Sequence, residues 1–301
     1  MKKWILLLIG SLFLLTGCST YTELNDLSIV NTVGIEKVND IYKVTISVVD
    51  TSNYENEANY KTTLYDATGK NITEAFNNLY LYLDKEIYIY HLETLLLSSS
   101  LDKSDIDKVN DYFNNIKNNR NSFLVVYTRD SISNILHLPI RINSLIKTNG
   151  NNLSQVAPLT YEKYLKNLYE HKYSFIPTIT YSEEKKDVNV VGYSYFYLNK
   201  FINSLTKEES LSYNILNNQV KTLTLSIDLK YYAVNTLECN IQKNNQTYDI
   251  HVDSFIYSTE KDYMKKYDTY IKNNLDLFIN KYSYFDKYKI SLNTKGENYE
   301  K

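Results

Sequence analysis

The first eighteen residues decide where the remainder of the chain can fold. Lys2 and Lys3 precede an uncharged, mostly apolar run from Trp4 to Leu15, closed by Leu15, Thr16, Gly17 and Cys18. A positive start, an apolar stretch and a cleavage site of small residues make up a secretory leader. The run of about a dozen residues is too short to span a membrane, since a helix needs roughly 20 to cross about 30 Å of hydrocarbon. Its closing tetrad resembles a lipobox, in which the thiol receives a diacylglyceryl group and a peptidase cuts just before it. On this reading residues 1–17 are removed, residues 18–26 form a lipidated tether, and the rest folds outside the cytoplasm. Two acyl chains anchor firmly, because each buried methylene contributes about 0.8 kcal/mol and a single chain holds only marginally. Cys18 is therefore expected to be an anchor and not a catalytic thiol.

Without the leader roughly 280 residues remain, enough for two or three domains at about 100 to 200 residues each. The formal charge of −2 becomes −4 when Lys2 and Lys3 leave. Nothing in that balance favours nucleic acid or a polybasic grip on anionic lipid. Cys239, the second of two cysteines, has no partner once Cys18 is acylated, so it is expected to be a small buried residue. The 31 tyrosines could suggest a sugar-stacking surface, but they accompany abundant Asn, Lys and Ile, with only 7 Gly and 3 Pro. An AT-rich genome explains that bias more simply. Scarce Gly and Pro also leave no flexible linker in view.

Along the chain, strands are predicted at Leu27 to Lys37 and Ile41 to Asp50 around an Asn39-Asp40 turn, and at Tyr60 to Thr68. A helix from Ile72 to about Leu83 follows, then one buried strand from Ile87 to Ser98. Ser104 with Asp107 makes a capping box for a helix carrying Ile106, Val109, Phe113 and Ile116. Phe123 to Tyr127 is a strand, and a short helix from Asp130 or Ser131 runs to Leu136. The polar stretch Lys147 to Ser154 is the best boundary. Beyond it come a helix at Tyr161, Tyr164, Leu165, Leu168 and Tyr169, strands near Phe175 to Tyr181 and Val188 to Leu198, and a helix to Asn217 opened by a Thr206/Glu209 capping box. Strands at Leu223 to Leu229, Tyr231 to Ile241 and Thr247 to Tyr257 lead into a long helix from Thr259 to about Tyr282. Its stripe is Met264, Tyr267, Ile271, Leu275, Phe278 and Tyr282. The expected fold is α+β, with an N-terminal domain over 27–146, a middle domain over 155–220, and C-terminal strands plus a long helix over 221–301.

Motifs for chemistry are missing. No phosphate-cradling glycine loop and no G-x-S-x-G elbow occurs. His91, His137, His171 and His251 are scattered and lack zinc-ligand spacing. Glu183-Glu184 sits beside Lys185 and Lys186, and Glu208-Glu209 lies in a first helical turn, where the dipole favours acids. Both read as solvated charge and not as a glycosidase pair. No catalytic residue, metal site or cofactor is expected.

Glu23, Leu24, Asn25, Asp26 and Leu27 stand just past Cys18, and Thr32, Val33, Gly34, Ile35, Glu36 and Lys37 follow. This opening resembles that of the Ger(x)C family of spore germination lipoproteins, with Glu36 where the family has Asp and Ser19 where it has Trp. Gly69, Ile72, Glu74 and Ala75 resemble its Gly-x-x-Ile-x-Glu-Ala helix start, and Tyr90-His91 its Gly-His. Gly192, Phe196, Leu205, Thr206, Glu208 and Glu209 resemble its second-domain strand and "Leu-Thr-x-Glu-Glu". The likeness covers roughly residues 1 to 220, and the tail from Phe285 to Lys301 shows no clear match. It implies three α+β domains and a non-catalytic role as the C subunit of a nutrient germinant receptor. Two integral membrane subunits, A and B, in the inner spore membrane are the implied partners. The tether, at under roughly 30 Å for Ser19 to Asp26, confines the first domain to the bilayer, so Glu23, Leu24, Asn25, Asp26 and Leu27 are candidate partner contacts. The rival readings are a solute-binding lipoprotein of a transporter, which needs two similar α/β lobes about a cleft, and an envelope hydrolase.

Overall fold

The computed structural model describes residues 26–50, 62–116, 120–153, 156–220, 222–227, 230–258 and 261–296. The leader, Cys18, Glu23, Leu24 and Asn25 lie outside them. The described residues form a mixed α+β fold of seven helices and two sheets.

β1 (Leu27–Val38) and β2 (Ile41–Val49) form the expected hairpin, with Asn39 and Asp40 both left-handed at φ 50° and 61°. Two such residues make the turn whose twist suits a two-residue hairpin. β3 (Thr62–Gly69) pairs antiparallel with β2. α1 (Ile72–Leu79) follows, its first turn closed by Asn71, which accepts from the Glu74 amide at 2.9 Å. The helix stops four residues earlier than expected: the amides of Tyr80, Leu81 and Tyr82 each bond the carbonyl three residues back. That tighter winding ends the α-helix.

The strand expected over Ile87 to Ser98 is two strands, β4 (Glu86–Tyr88) and β5 (Thr94–Ser98), both parallel to β1. Ile29 lies opposite Tyr88 and Thr32 opposite Thr94, so six steps on one side face three on the other. The surplus, which includes Tyr90 and His91, loops out through a turn in which the Leu92 amide bonds the Ile89 carbonyl.

α2 (Lys103–Asn115) has its capping box at Asp102 and Asp105 instead of Ser104 and Asp107. Here Asp105 at the third helical position takes the place that Glu or Gln usually fills, its carboxylate accepting from the Asp102 amide. Asp107 instead pairs with Lys103 at 2.6 Å. β6 (Leu124–Thr128), α3 (Ile132–Leu136) and α4 (Ile142–Leu153) follow. α4 runs through most of the polar stretch Lys147 to Ser154. Next come α5 (Tyr161–His171), β7 (Tyr173–Ser182), β8 (Asp187–Tyr197) and β9 (Lys200–Ser204). On α5, Tyr161 and Tyr164 are buried while Tyr169 is 94% exposed. α6 (Lys207–Leu216) carries the expected Thr206/Glu209 capping box.

β1, β5, β6 and β7 are successive parallel neighbours in a nine-stranded sheet ordered β3-β2-β1-β5-β6-β7-β8-β9, with β4 beside β1. Segments 27–146 and 155–220 thus contribute strands to the same sheet. Successive residues of a strand point to opposite faces, and both faces are covered. Leu95, Leu97, Val125 and Tyr127 join α1, α2 and α5 in one cluster, while Leu96, Leu124 and Val126 join α3, α4 and α6 in the other.

A second sheet orders β10 (Leu223–Ile227), β11 (Lys230–Asn244), β12 (Thr247–Ile256) and β13 (Tyr288–Gly296). α7 (Lys261–Tyr282) crosses from β12 to the parallel β13, and buries Tyr267, Ile271, Leu275, Phe278 and Ile279 against the second cluster. α6 and α7 are fastened by Lys281, whose ammonium donates to Glu209 of the capping box.

Candidate functional site

The described part of the expected contact segment sits at one end of the first sheet. Asp26 is exposed in a short turn, and Leu27 is half-buried opposite Glu86. β1 and β4 are parallel, so the residues leading into each emerge at the same end. Those are Asp26 on one side and Tyr80 to Lys85 on the other. Tyr80 stands half exposed at this end. Burial and then the Glu86 carboxylate push the Tyr80 hydroxyl above its ordinary range. Leu83 packs into the first cluster, while Leu81 and Tyr82 are 78% and 64% exposed. Sequence periodicity missed this patch because it extended α1 to Leu83. Two tyrosines and a leucine in succession near a chain entry were the available signal.

The motif residues behind the resemblance are building parts of the fold. Gly34 faces Ile132, whose Cγ2 lies 2.3 Å from where a β-carbon would stand. Lys37 donates to both oxygens of Asp105 at 3.2 Å. Gly192, at φ +120°, occupies backbone that side chains rarely adopt. Burial pushes the Asp105 carboxyl up, but the Tyr42 hydroxyl, the Asp102 amide and Lys37 outweigh it and hold it below the ordinary carboxylate range. Cys239 is buried, as expected, and burial pushes its thiol up to about 11.

Among the described residues, no three His, Cys, Asp or Glu side chains are placed to hold a metal, and no helix is long and apolar enough to cross a membrane. The Glu183-Glu184 pair lies in the turn between β7 and β8, and Glu208 and Glu209 in the first turn of α6. A groove of about 630 Å³ lies between β8, the start of α6 and β10, and is lined by Gly192, Lys207, Glu208, Ser210, Leu225 and Tyr270 among others. It brings together no nucleophile and base in hydrogen-bonding geometry. The two sheets differ in strand number and topology, unlike the paired lobes that a transporter's binding protein requires.

Residues 20–181 match the family model described as the spore germination protein N-terminal domain. Over 253 residues the chain is 24% identical to YfkR of Bacillus subtilis (strain 168), whose name places it in spore germination. That match covers 78% of this chain and 66% of YfkR, so the chain spans slightly less than two thirds of its relative's length. The crystal structure of the GerBC protein aligns with a TM-score of 0.45 at 15% identity, over 88% of this chain and 97% of GerBC. The family match takes in more than half of the chain, including the β1 opening, the α1 start and the strands up to β7: this protein belongs to the Ger(x)C family of spore germination proteins.

Proposed function

We propose that this chain is the lipid-anchored C subunit of a spore nutrient germinant receptor. In this reading it is held by a diacylglyceryl group on Cys18 at the outer face of the inner spore membrane and works beside two integral membrane subunits without catalysing a reaction. The observation that carries it is the family match beginning at residue 20, two residues after the Leu-Thr-Gly-Cys tetrad. A tether of eight residues reaches at most about 30 Å, so the β1/β4 end of the first sheet stays near the bilayer. Short tethering raises the effective concentration of that end against membrane partners. The experiment is detergent extraction of spore inner membranes followed by affinity purification of the tagged chain. Two integral membrane proteins of the germinant-receptor type at comparable amounts are expected. Recovery of the chain without them, or in the soluble fraction, contradicts the reading.

A further inference from the structure

We infer that the turn carrying Tyr80, Leu81 and Tyr82 is a lipid contact, dipping into the headgroup region beside the tether. The inference rests on the anchored reading of Cys18 and adds a surface to it. Three consecutive side chains are 50%, 78% and 64% exposed, and the amides of all three are bonded to carbonyls of α1. The apolar surface is therefore held out by a fixed backbone. Tyrosine suits a bilayer interface, where its ring meets apolar chains and its hydroxyl stays wet.

The register of the first sheet places this turn. The parallel pairing of Leu27 with Glu86 puts the entries to β1 and β4 at one end, and that is where the eight-residue tether arrives. The other exposed apolar pair near β1, Val38 and Ile41, flanks the hairpin at the far end. Eleven residues of strand separate it from Leu27, about 36 Å at 3.3 Å per residue, which exceeds the tether's full reach. Asp84, Lys85 and Glu86 flank the turn with one net negative charge. The contact is therefore apolar, shallow and insensitive to the anionic lipid fraction.

The full lipidated chain provides the test. Leu81→Cys and, separately, Val38→Cys are labelled with a small environment-sensitive fluorophore and reconstituted into phosphatidylcholine vesicles with 0 or 30% phosphatidylglycerol. Both sites are exposed, so the fold is kept, and Tyr82→Cys serves as a second probe of the turn. The expected result is quenching of the label at 81 by brominated lipid, with at least three-fold lower iodide accessibility than at 38, at both lipid compositions. Equal iodide accessibility at 81, 82 and 38 overturns the lipid contact. Protection that appears only when membrane subunits are added also overturns it, in favour of a protein partner. Intact mass of the same sample reports the diacylglyceryl group independently, so a failed anchor and a failed contact are told apart.

Discussion

Lys37 and Asp105 lie 68 positions apart and meet with the ammonium 3.2 Å from both carboxylate oxygens. One of those oxygens also accepts from the Tyr42 hydroxyl, and the other from the Asp102 amide. The last residue of the Gly-Ile-Glu-Lys motif thus clamps the start of α2 to the end of β1. Asp105 is 1% exposed, and removing its carboxylate takes the acceptor away from the buried Tyr42 hydroxyl. Asp105→Ala is expected to cost about 1 to 3 kcal/mol at pH 7, measured by urea unfolding. Replacing the exposed Arg141, which pairs with Glu93, should cost under about 1 kcal/mol.

The same pair sets a pH dependence. The carboxyl of Asp105 is held below its ordinary value, so its stabilisation is full above the unfolded carboxylate pKa and is lost as pH falls through the lower, folded one. Unfolding midpoints taken between pH 5 and pH 2 should fall more steeply for the native sequence than for Asp105→Asn. Parallel curves would remove Asp105 from the account of acid sensitivity.

Gly34 offers a second check through Ile132. Gly34→Ala forces a methyl against Ile132 and should destabilise by about 1 to 3 kcal/mol. In an Ile132→Ala background, itself costing about 2 to 5 kcal/mol, the same change should add little. Additive costs in the double variant would show that the close approach is not the reason for glycine.

These residues also mark what was legible in the sequence. Gly34, Lys37, Thr206 and Glu209 stood out as motif members, and the physics of their contacts explains why: a forced close approach, a buried charge and a reciprocal cap. The hairpin turn at Asn39-Asp40 could be read because Asn and Asp tolerate left-handed backbone. β9 could not, because its turn uses Leu198 at φ 48° beside Asn199, and leucine does not signal a turn. In β13, Tyr288, Ile290, Ser291 and Leu292 are all half-buried and only Lys289 among them is exposed, so the strand lacks a clean two-residue alternation. The break between β4 and β5 arises from register against β1, a long-range fact that no local window contains. At the β1/β4 end of the first sheet the sequence offered Asp26 and Leu27 as expected contacts, but its periodicity gave no signal for the Tyr80 to Tyr82 patch, whose exposure follows from the early end of α1.

Cys239 should be silent toward thiol reagents in the folded, lipidated chain. With its pKa raised to about 11 by burial, about one part in a thousand is thiolate at pH 8, and access is closed. Iodoacetamide labelling is expected only on unfolding. Rapid labelling of the native protein would contradict the buried placement.

Asp26 separates packing from partnership. It is exposed, so Asp26→Lys should change folding stability by under about 0.5 kcal/mol. If the tether end contacts a membrane subunit, the same variant at normal abundance should lose receptor assembly in spores. Normal assembly would leave this segment with only its packing role.

The germination role is tested most directly by nutrient response in spores lacking this chain, complemented with either the native sequence or Cys18→Ala. The expected result is that deletion spores fail to release dipicolinate with at least one nutrient mixture. The native copy should restore release, and Cys18→Ala should not, being recovered unprocessed or outside the membrane fraction. Deletion spores that respond normally to every mixture, or full rescue by Cys18→Ala, would contradict it.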